Sequence, residues 1–245
     1  MVLVIICSDL DGTILVNKSV DIEIANKIKQ YRKKNNYFVI VTGRGKGVFE
    51  KAINDYNIDF FDYVILSNGG CICDSNLKEI KYTAFSSIEV INILEKLSLY
   101  KDEFRKYIIN TKDESIDMKY QYNLSQGNKF VISIAIQFYN ENVTKKVFQN
   151  LKAMMGTKYN LFINKDCIDI LPKNVSKDIA IVHLLNLLKL SENDLCVIGD
   201  GKNDISMLKK FKNSFTFSYC DKDVLKSSKY IVESYMDFFN KIEDM

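Results

Sequence analysis

Asp9-Leu10-Asp11-Gly12-Thr13 closes an apolar run, Val2 to Cys7, with two carboxylates spaced two apart. At strand geometry that spacing puts both side chains on one face. Two like charges at the end of a half-buried strand oppose each other's ionisation unless a cation or a polar ligand site compensates them. Gly12 lets the backbone turn sharply or approach a ligand closely, and Thr13 adds a hydroxyl. Taken alone, the pentapeptide also reads as a strand ending in an ordinary Asp-Gly turn.

The chain that follows gives the stretch its setting. Residues 21–35 place Ile24, Ile28 and Tyr31 at helical spacing, and Tyr37–Val41 is a β-rich run that ends at Thr42-Gly43-Arg44. A helix over Lys46–Tyr56 and a strand over Tyr63–Leu66 come next, the latter running into Ser67-Asn68-Gly69-Gly70. Strand, helix, strand is the signature of a parallel βαβ unit, whose ligands bind beyond the carboxyl ends of the strands. After a hairpin at 71–83 the alternation loosens. Helices at 87–99 and 143–155 mix with strands at 106–110, 129–139, 160–163 and 167–171, and a polar loop is expected through Asp117. Past Pro172 the rhythm returns: Ser176 as N-cap of a helix over 179–190, then a strand over Leu195–Ile198 ending in Gly199-Asp200-Gly201-Lys202-Asn203-Asp204, a helix to Lys210, and strands at 214–218 and 229–232. The expected fold class is α/β: a Rossmann-like parallel-sheet core over residues 1–80 and 173–245, with an inserted α+β cap domain over 81–172.

Composition limits the function classes. With 245 residues and 47% hydrophobic content the chain can build a large core and a smaller second domain. The 34 Lys+Arg and 31 Asp+Glu are interspersed and sum to +3, so no nucleic-acid partner is expected. No apolar run reaches the roughly 18 residues of a membrane span and no secretory pattern opens the chain, which predicts a cytoplasmic protein. Six cysteines sit mostly in apolar runs and read as thiols; their spacing is not that of a zinc site.

Loops carrying Asp9 and Asp11, Thr42, Lys177, and Asp200 with Asp204 are expected to converge. Carboxylates gathered at one point form a hard-oxygen site of the kind Mg²⁺ prefers. A carboxylate nucleophile, a hydroxyl and a lysine beside such an ion suit phosphoryl transfer through an aspartyl phosphate.

In these residues the chain resembles the haloacid dehalogenase (HAD) superfamily of hydrolases, in its Cof-type (subfamily IIB) sugar-phosphatase-like branch. Asp9-Leu10-Asp11-Gly12-Thr13, Thr42-Gly43-Arg44, Lys177 and Gly199-Asp200-x-x-Asn203-Asp204 appear in the family's order. The resemblance implies Asp9 as nucleophile and Asp11 as acid and base, with Thr42 on a phosphoryl oxygen and Lys177 balancing charge. Asp9, Asp200 and the main-chain carbonyl of Asp11 would hold Mg²⁺, with Asp204 acting behind them. Leu10, Gly43, Arg44, Asn68, Gly69 and Asn203 would contact phosphate or substrate. The chain departs from the family at Gly45, where proline is common, and its insert is short.

The implied activity is Mg²⁺-dependent hydrolysis of small phosphomonoesters, sugar phosphates or related metabolites, with no protein partner. A phosphomannomutase-type phosphomutase is the alternative, but such an enzyme needs several arginines in the cap and the insert has only Arg105. A metabolite-sensing protein without activity is the other, and it would be expected to lose Asp9 or Asp11. His183 is expected in the core, and Tyr107, Tyr120 and Tyr122 in cap packing.

Overall fold

Every residue of Ile5–Ser8 is buried, as expected for a strand covered on both faces of a parallel sheet. The computed structural model of the chain describes residues 5–117 and 130–245. Ile5–Ser8 pairs in parallel with Leu195–Ile198 on one side and Tyr37–Val41 on the other. Asn213–Phe217 and Tyr230–Val232 extend the first side, and Tyr63–Leu66 the second, all in parallel. The antiparallel hairpin of Cys71–Asp74 and Glu79–Tyr82 completes an eight-stranded sheet. The expected boundary at residue 80 thus falls inside a strand. Helix residues such as Phe49 and Phe238 cover one face with Ile6 and Ile40, while Ile181, Leu184 and Met207 cover the other with Ile5 and Val39. Strand order reverses at Ile5–Ser8, so the loops after it and its neighbours open on a common crevice.

The insert forms a second, five-stranded antiparallel sheet in the order Tyr159–Asn164, Cys167–Pro172, Val131–Phe138, Phe104–Thr111, Ser115–Asp117. Helices Ser87–Ser98 and Glu141–Met155 bury Val90, Ile93, Leu97, Val147 and Leu151 against Ile134, Ile136 and Ile168 on one sheet face. Period-two alternation turns Ile108, Asn110, Ala135, Cys167 and Asp169 the other way. There they roof a cavity of about 580 Å³ whose floor includes Asp9, Asp11, Arg44, Asp200 and Asn203.

Three expectations need correction, and one further helix is added to them. The polar loop expected through Asp117 contains the strand Ser115–Asp117, paired with Phe104–Thr111; a three-residue edge strand carries no apolar run to betray it. The helix expected from residue 179 begins at Lys177, and the hydroxyl of Ser176, at its N-cap, donates to the Asp178 carboxylate at 2.6 Å instead of capping a backbone N–H. His183 is exposed, with Nδ1 3.2 Å from Lys81 Nζ, because the helix buries Ala180, Ile181, Leu184 and Leu185. A closing helix, Tyr235–Glu243, was not expected; it buries Tyr235, Phe238 and Phe239 at helical spacing.

Tyr107 packs on Phe104 with ring centroids 5.8 Å apart, whereas Tyr120 and Tyr122 lie outside the described residues. All six cysteines are free. Among the described residues no helix is long and apolar enough to cross a membrane.

Candidate active site

Lys177 is fully buried, and its ammonium donates to Asp9 Oδ1 at 2.5 Å, Asp204 Oδ1 at 2.6 Å and the Val41 carbonyl at 2.8 Å. Burial favours the neutral amine, but Asp204 and Asp9 outweigh it and hold the ammonium above the ordinary lysine range. Asp204 is engaged through both oxygens: besides Lys177 on Oδ1, its Oδ2 accepts the backbone N–H groups of Asp200 at 3.0 Å and Gly201 at 2.8 Å. It therefore fixes the loop and the lysine. Thr13 donates to Asp200 Oδ1 at 2.8 Å. Gly12 has φ +93°, and a Cβ there would come within 2.8 Å of the Asp200 carboxylate carbon. Backbone and space both demand glycine at this point.

Asp9, Asp200 and Asp204 offer oxygens within 4.8 Å of one another. The Asp9 carboxyl is pushed well up by burial first and by Asp204 next, with Lys177 opposing. Burial and then Asp204 also raise Asp200. Two carboxyls whose ionisation is disfavoured in this way form an all-oxygen donor set that a hard divalent cation fits. The donors left for it are Asp9 and Asp200, since Asp204 is committed elsewhere.

Asp11 follows the strand but does not share this cluster. Arg44 grips its carboxylate with two hydrogen bonds, Nε to Oδ2 at 2.8 Å and Nη2 to Oδ1 at 2.6 Å. Arg44, expected as a substrate contact, is thus placed on Asp11. Thr42 is buried, and its Oγ1 accepts the Arg44 N–H at 3.2 Å, which leaves its proton for another acceptor. Leu10 is buried, its carbonyl accepting the Ile14 and Leu15 N–H groups at 3.0 and 2.8 Å. Gly43 lies against the Asn68 amide.

Ser67 and Asn68 have φ of 50° and 49°, left-handed values that cost non-glycine residues energy, and Gly69 follows at φ +110°. This turn sends the Asn68 side chain between core and cap. Asn203 Nδ2 donates to Asn68 Oδ1 at 3.1 Å, and Asn68 Nδ2 donates to Asp169 Oδ2 at 2.9 Å. The strand loops therefore bring Asp9, Thr42, Asn68, Lys177, Asp200, Asn203 and Asp204 together, with Asp11 and Arg44 paired at the rim.

Sequence reasoning missed Asp169, Asn110, Lys165 and Tyr219, all of which line the cavity. The signal for Asp169 was its alternation with Ile168 and Ile170. Tyr219 hydrogen-bonds the Gly12 carbonyl at 3.1 Å and carries no such signal. Burial raises the Asp169 carboxyl to about 7 against the pull of Asn68 and Lys177. Because the folded value exceeds the unfolded one, folding holds the proton more tightly, and stability falls as pH rises from about 4 through 7. Asp169→Asn is expected to remove that loss: its melting temperature should exceed wild type by more at pH 8 than at pH 5.

A family model described as haloacid dehalogenase-like hydrolase matches residues 6–237. A protein of Buchnera aphidicola subsp. Baizongia pistaciae named "Putative phosphatase" is 29% identical, over 83% of this chain and 82% of its own length. Among solved structures, a "putative HAD/COF-like hydrolase from Plasmodium vivax" superposes with a TM-score of 0.83 at 20% identity, covering 99% of this chain and 96% of its own. A haloacid dehalogenase-like hydrolase from B. subtilis gives 0.80 at 15% identity, with 94% of each chain covered.

Proposed function

The chain belongs to the haloacid dehalogenase-like hydrolases, and we propose that it is a Mg²⁺-dependent phosphatase that hydrolyses small phosphomonoesters, sugar phosphates or related metabolites, through an aspartyl phosphate on Asp9. The observation that carries this reading is the buried Lys177 ammonium shared by Asp9 and Asp204, with Asp200 alongside. It orients a carboxylate at the floor of the cavity and balances part of its charge, which suits a nucleophile that must approach a phosphoryl group.

Lys177 holds Asp9 Oδ1, so Oδ2 attacks phosphorus. The new bond from Asp9 to phosphorus forms as the bond to the ester oxygen breaks, and that oxygen leaves with the electron pair. Thr42 donates its hydroxyl proton to a phosphoryl oxygen, and the Asn203 amide contacts another. The phosphoryl dianion offers Arg44 a second anion to pair, which releases Asp11 to take up a proton from solvent and pass it to the leaving alcohol. Asp11 then takes a proton from water, whose oxygen attacks phosphorus and returns the Asp9 carboxylate. A positioned acid and base of this kind contributes about 10²–10⁴-fold. A divalent ion held by Asp9, Asp200 and the Asp11 carbonyl would supply the remaining neutralisation of phosphoryl charge.

The cavity of about 580 Å³ under the cap sheet supports a small-molecule substrate, since such sites span about 300–1,000 Å³. Hydrolysis is favoured over phosphoryl return to the substrate because Arg105, the one arginine of the insert, lies in a groove with Leu94, Leu97 and Phe104 away from the site. The substrate is a phosphorylated metabolite, with no protein or nucleic-acid partner. Purified protein with Mg²⁺ should release phosphate from para-nitrophenyl phosphate and from members of a sugar-phosphate panel. EDTA should stop the reaction, and added Mg²⁺ should restore it. No release from any member of the panel overturns the reading; recovery with Zn²⁺ but not Mg²⁺ overturns the choice of metal.

A further inference from the structure

Gly45 is the N-cap residue of the Lys46–Tyr56 helix, with φ −76° and ψ 169°. Those backbone values are open to any residue, so the chain's path does not require glycine here. The cap does. A Cβ on Gly45 would land on the side-chain amide of Asn110 and within 2.7 Å of the Ser115 hydroxyl. Two residues on, a Cβ on Gly47 would lie 3.1 Å from the Ser115 backbone nitrogen.

Asn110 cannot step aside. Its Nδ2 donates to the Ser133 hydroxyl at 2.9 Å and its Oδ1 accepts from Ser115 at 2.8 Å, so its amide is braced by two neighbouring strands of the cap sheet. Asn110 and Gly45 both line the cavity. Gly45 also follows Arg44, whose carbonyl accepts the Ser67 N–H at 2.9 Å and whose guanidinium grips Asp11. This contact between cap and core, beside the one from Asn68 to Asp169, is therefore one peptide from the group that holds the acid and base.

We propose that Gly45 and Asn110 form a size-matched seat that sets the height of the cap sheet over Asp9 and Asp11, which makes both positioning residues for phosphoryl transfer. A methyl group at position 45 cannot be absorbed by a braced amide in a close-packed contact. The cap shifts as a body instead, and the cavity roof moves with it. A displacement near 1 Å can cost about 10²-fold in rate. The core helix itself loses little, because the poorer capping of alanine and the smaller chain entropy it gives up on folding oppose each other.

The activity readout rests on the phosphatase reading; the second readout does not. Gly45→Ala is expected to lower kcat/KM for the best sugar phosphate by about tenfold or more, with a melting temperature within about 3 °C of wild type. Asn110→Ser shortens the facing side chain, so the double variant should recover most of the loss measured against Asn110→Ser alone. Hydrogen exchange of residues 45–49 and 110–116 should quicken in Gly45→Ala. Wild-type kcat/KM in Gly45→Ala, additive single and double variants, or a fall in melting temperature large enough to explain the loss would each overturn the seat. If the wild-type protein hydrolyses no phosphomonoester, the functional reading fails and exchange alone decides: faster exchange in Gly45→Ala sustains the seat, and unchanged exchange refutes it.

Discussion

Asp9→Asn should cut turnover by about 10⁴–10⁶-fold, the scale seen when a covalent nucleophile is removed, while the protein stays folded. The substitution is close to isosteric and keeps an oxygen for Lys177, whose ammonium also retains Asp204 and the Val41 carbonyl. What it deletes is a carboxyl that burial and Asp204 push well above its ordinary range. Since the folded value lies above the unfolded one, Asp9 costs stability as pH rises past the usual aspartate range. Without added metal, Asp9→Asn should therefore melt no lower than wild type, and its advantage should grow from pH 4 upward. Loss of activity together with a gain in stability would show a group kept for chemistry at the expense of the fold. Near-wild-type turnover in this variant would remove Asp9 from the mechanism.

Lys177→Met should have the opposite effect on stability. It keeps the length of the side chain but leaves Asp9 and Asp204 facing each other, both buried, with no cation between them. Removing one partner of a buried ion pair costs about 3–5 kcal/mol, which for a chain of this size lowers the melting temperature on the order of 10 °C. Part of that is recovered if one carboxyl takes up a proton, so the deficit should be smaller at pH 5 than at pH 8. Turnover should fall by at least about 10³-fold, since the nucleophile loses both its orientation and its counter-charge. Thermal unfolding at the two pH values, with a rate assay beside it, checks each part. A variant that melts like wild type at pH 8 would mean that the ammonium does not hold the site together.

Much of this arrangement was legible in the sequence because it is written locally. Tyr37–Val41, Tyr63–Leu66 and Leu195–Ile198 are fully apolar runs that stop at glycine- or asparagine-bearing loops, and their bounds coincide with the observed strands. Ends of adjacent parallel strands must lie side by side, so Asp9, Thr42, Asn68 and Asp200 could be gathered without coordinates. What escaped was non-local. Arg44 and Asp11 each read as a substrate-facing or reacting group, and nothing in either loop announces that they clasp each other. Gly45 read only as a departure from the pattern of the resembled family; the cap strands give its small size a reason. His183 looked internal because Lys177–Leu188 is apolar nearly all round, with Leu187 55% exposed, so periodicity could not tell the buried face from the outer one. Asp169 was the nearest miss: its alternation with Ile168 and Ile170 already put it on the face without helices.

The proposed mechanism requires that Asp9 be phosphorylated during turnover. The most direct test mixes the Asp11→Asn variant, which should form the acyl phosphate but hydrolyse it slowly, with Mg²⁺ and para-nitrophenyl phosphate, quenches in acid within the first turnover, and maps the digest by mass spectrometry. The predicted result is one phosphoryl group on the peptide carrying Asp9, absent from an Asp9→Asn, Asp11→Asn double variant. Nitrophenol release with no adduct, or an adduct on any other residue, would contradict it.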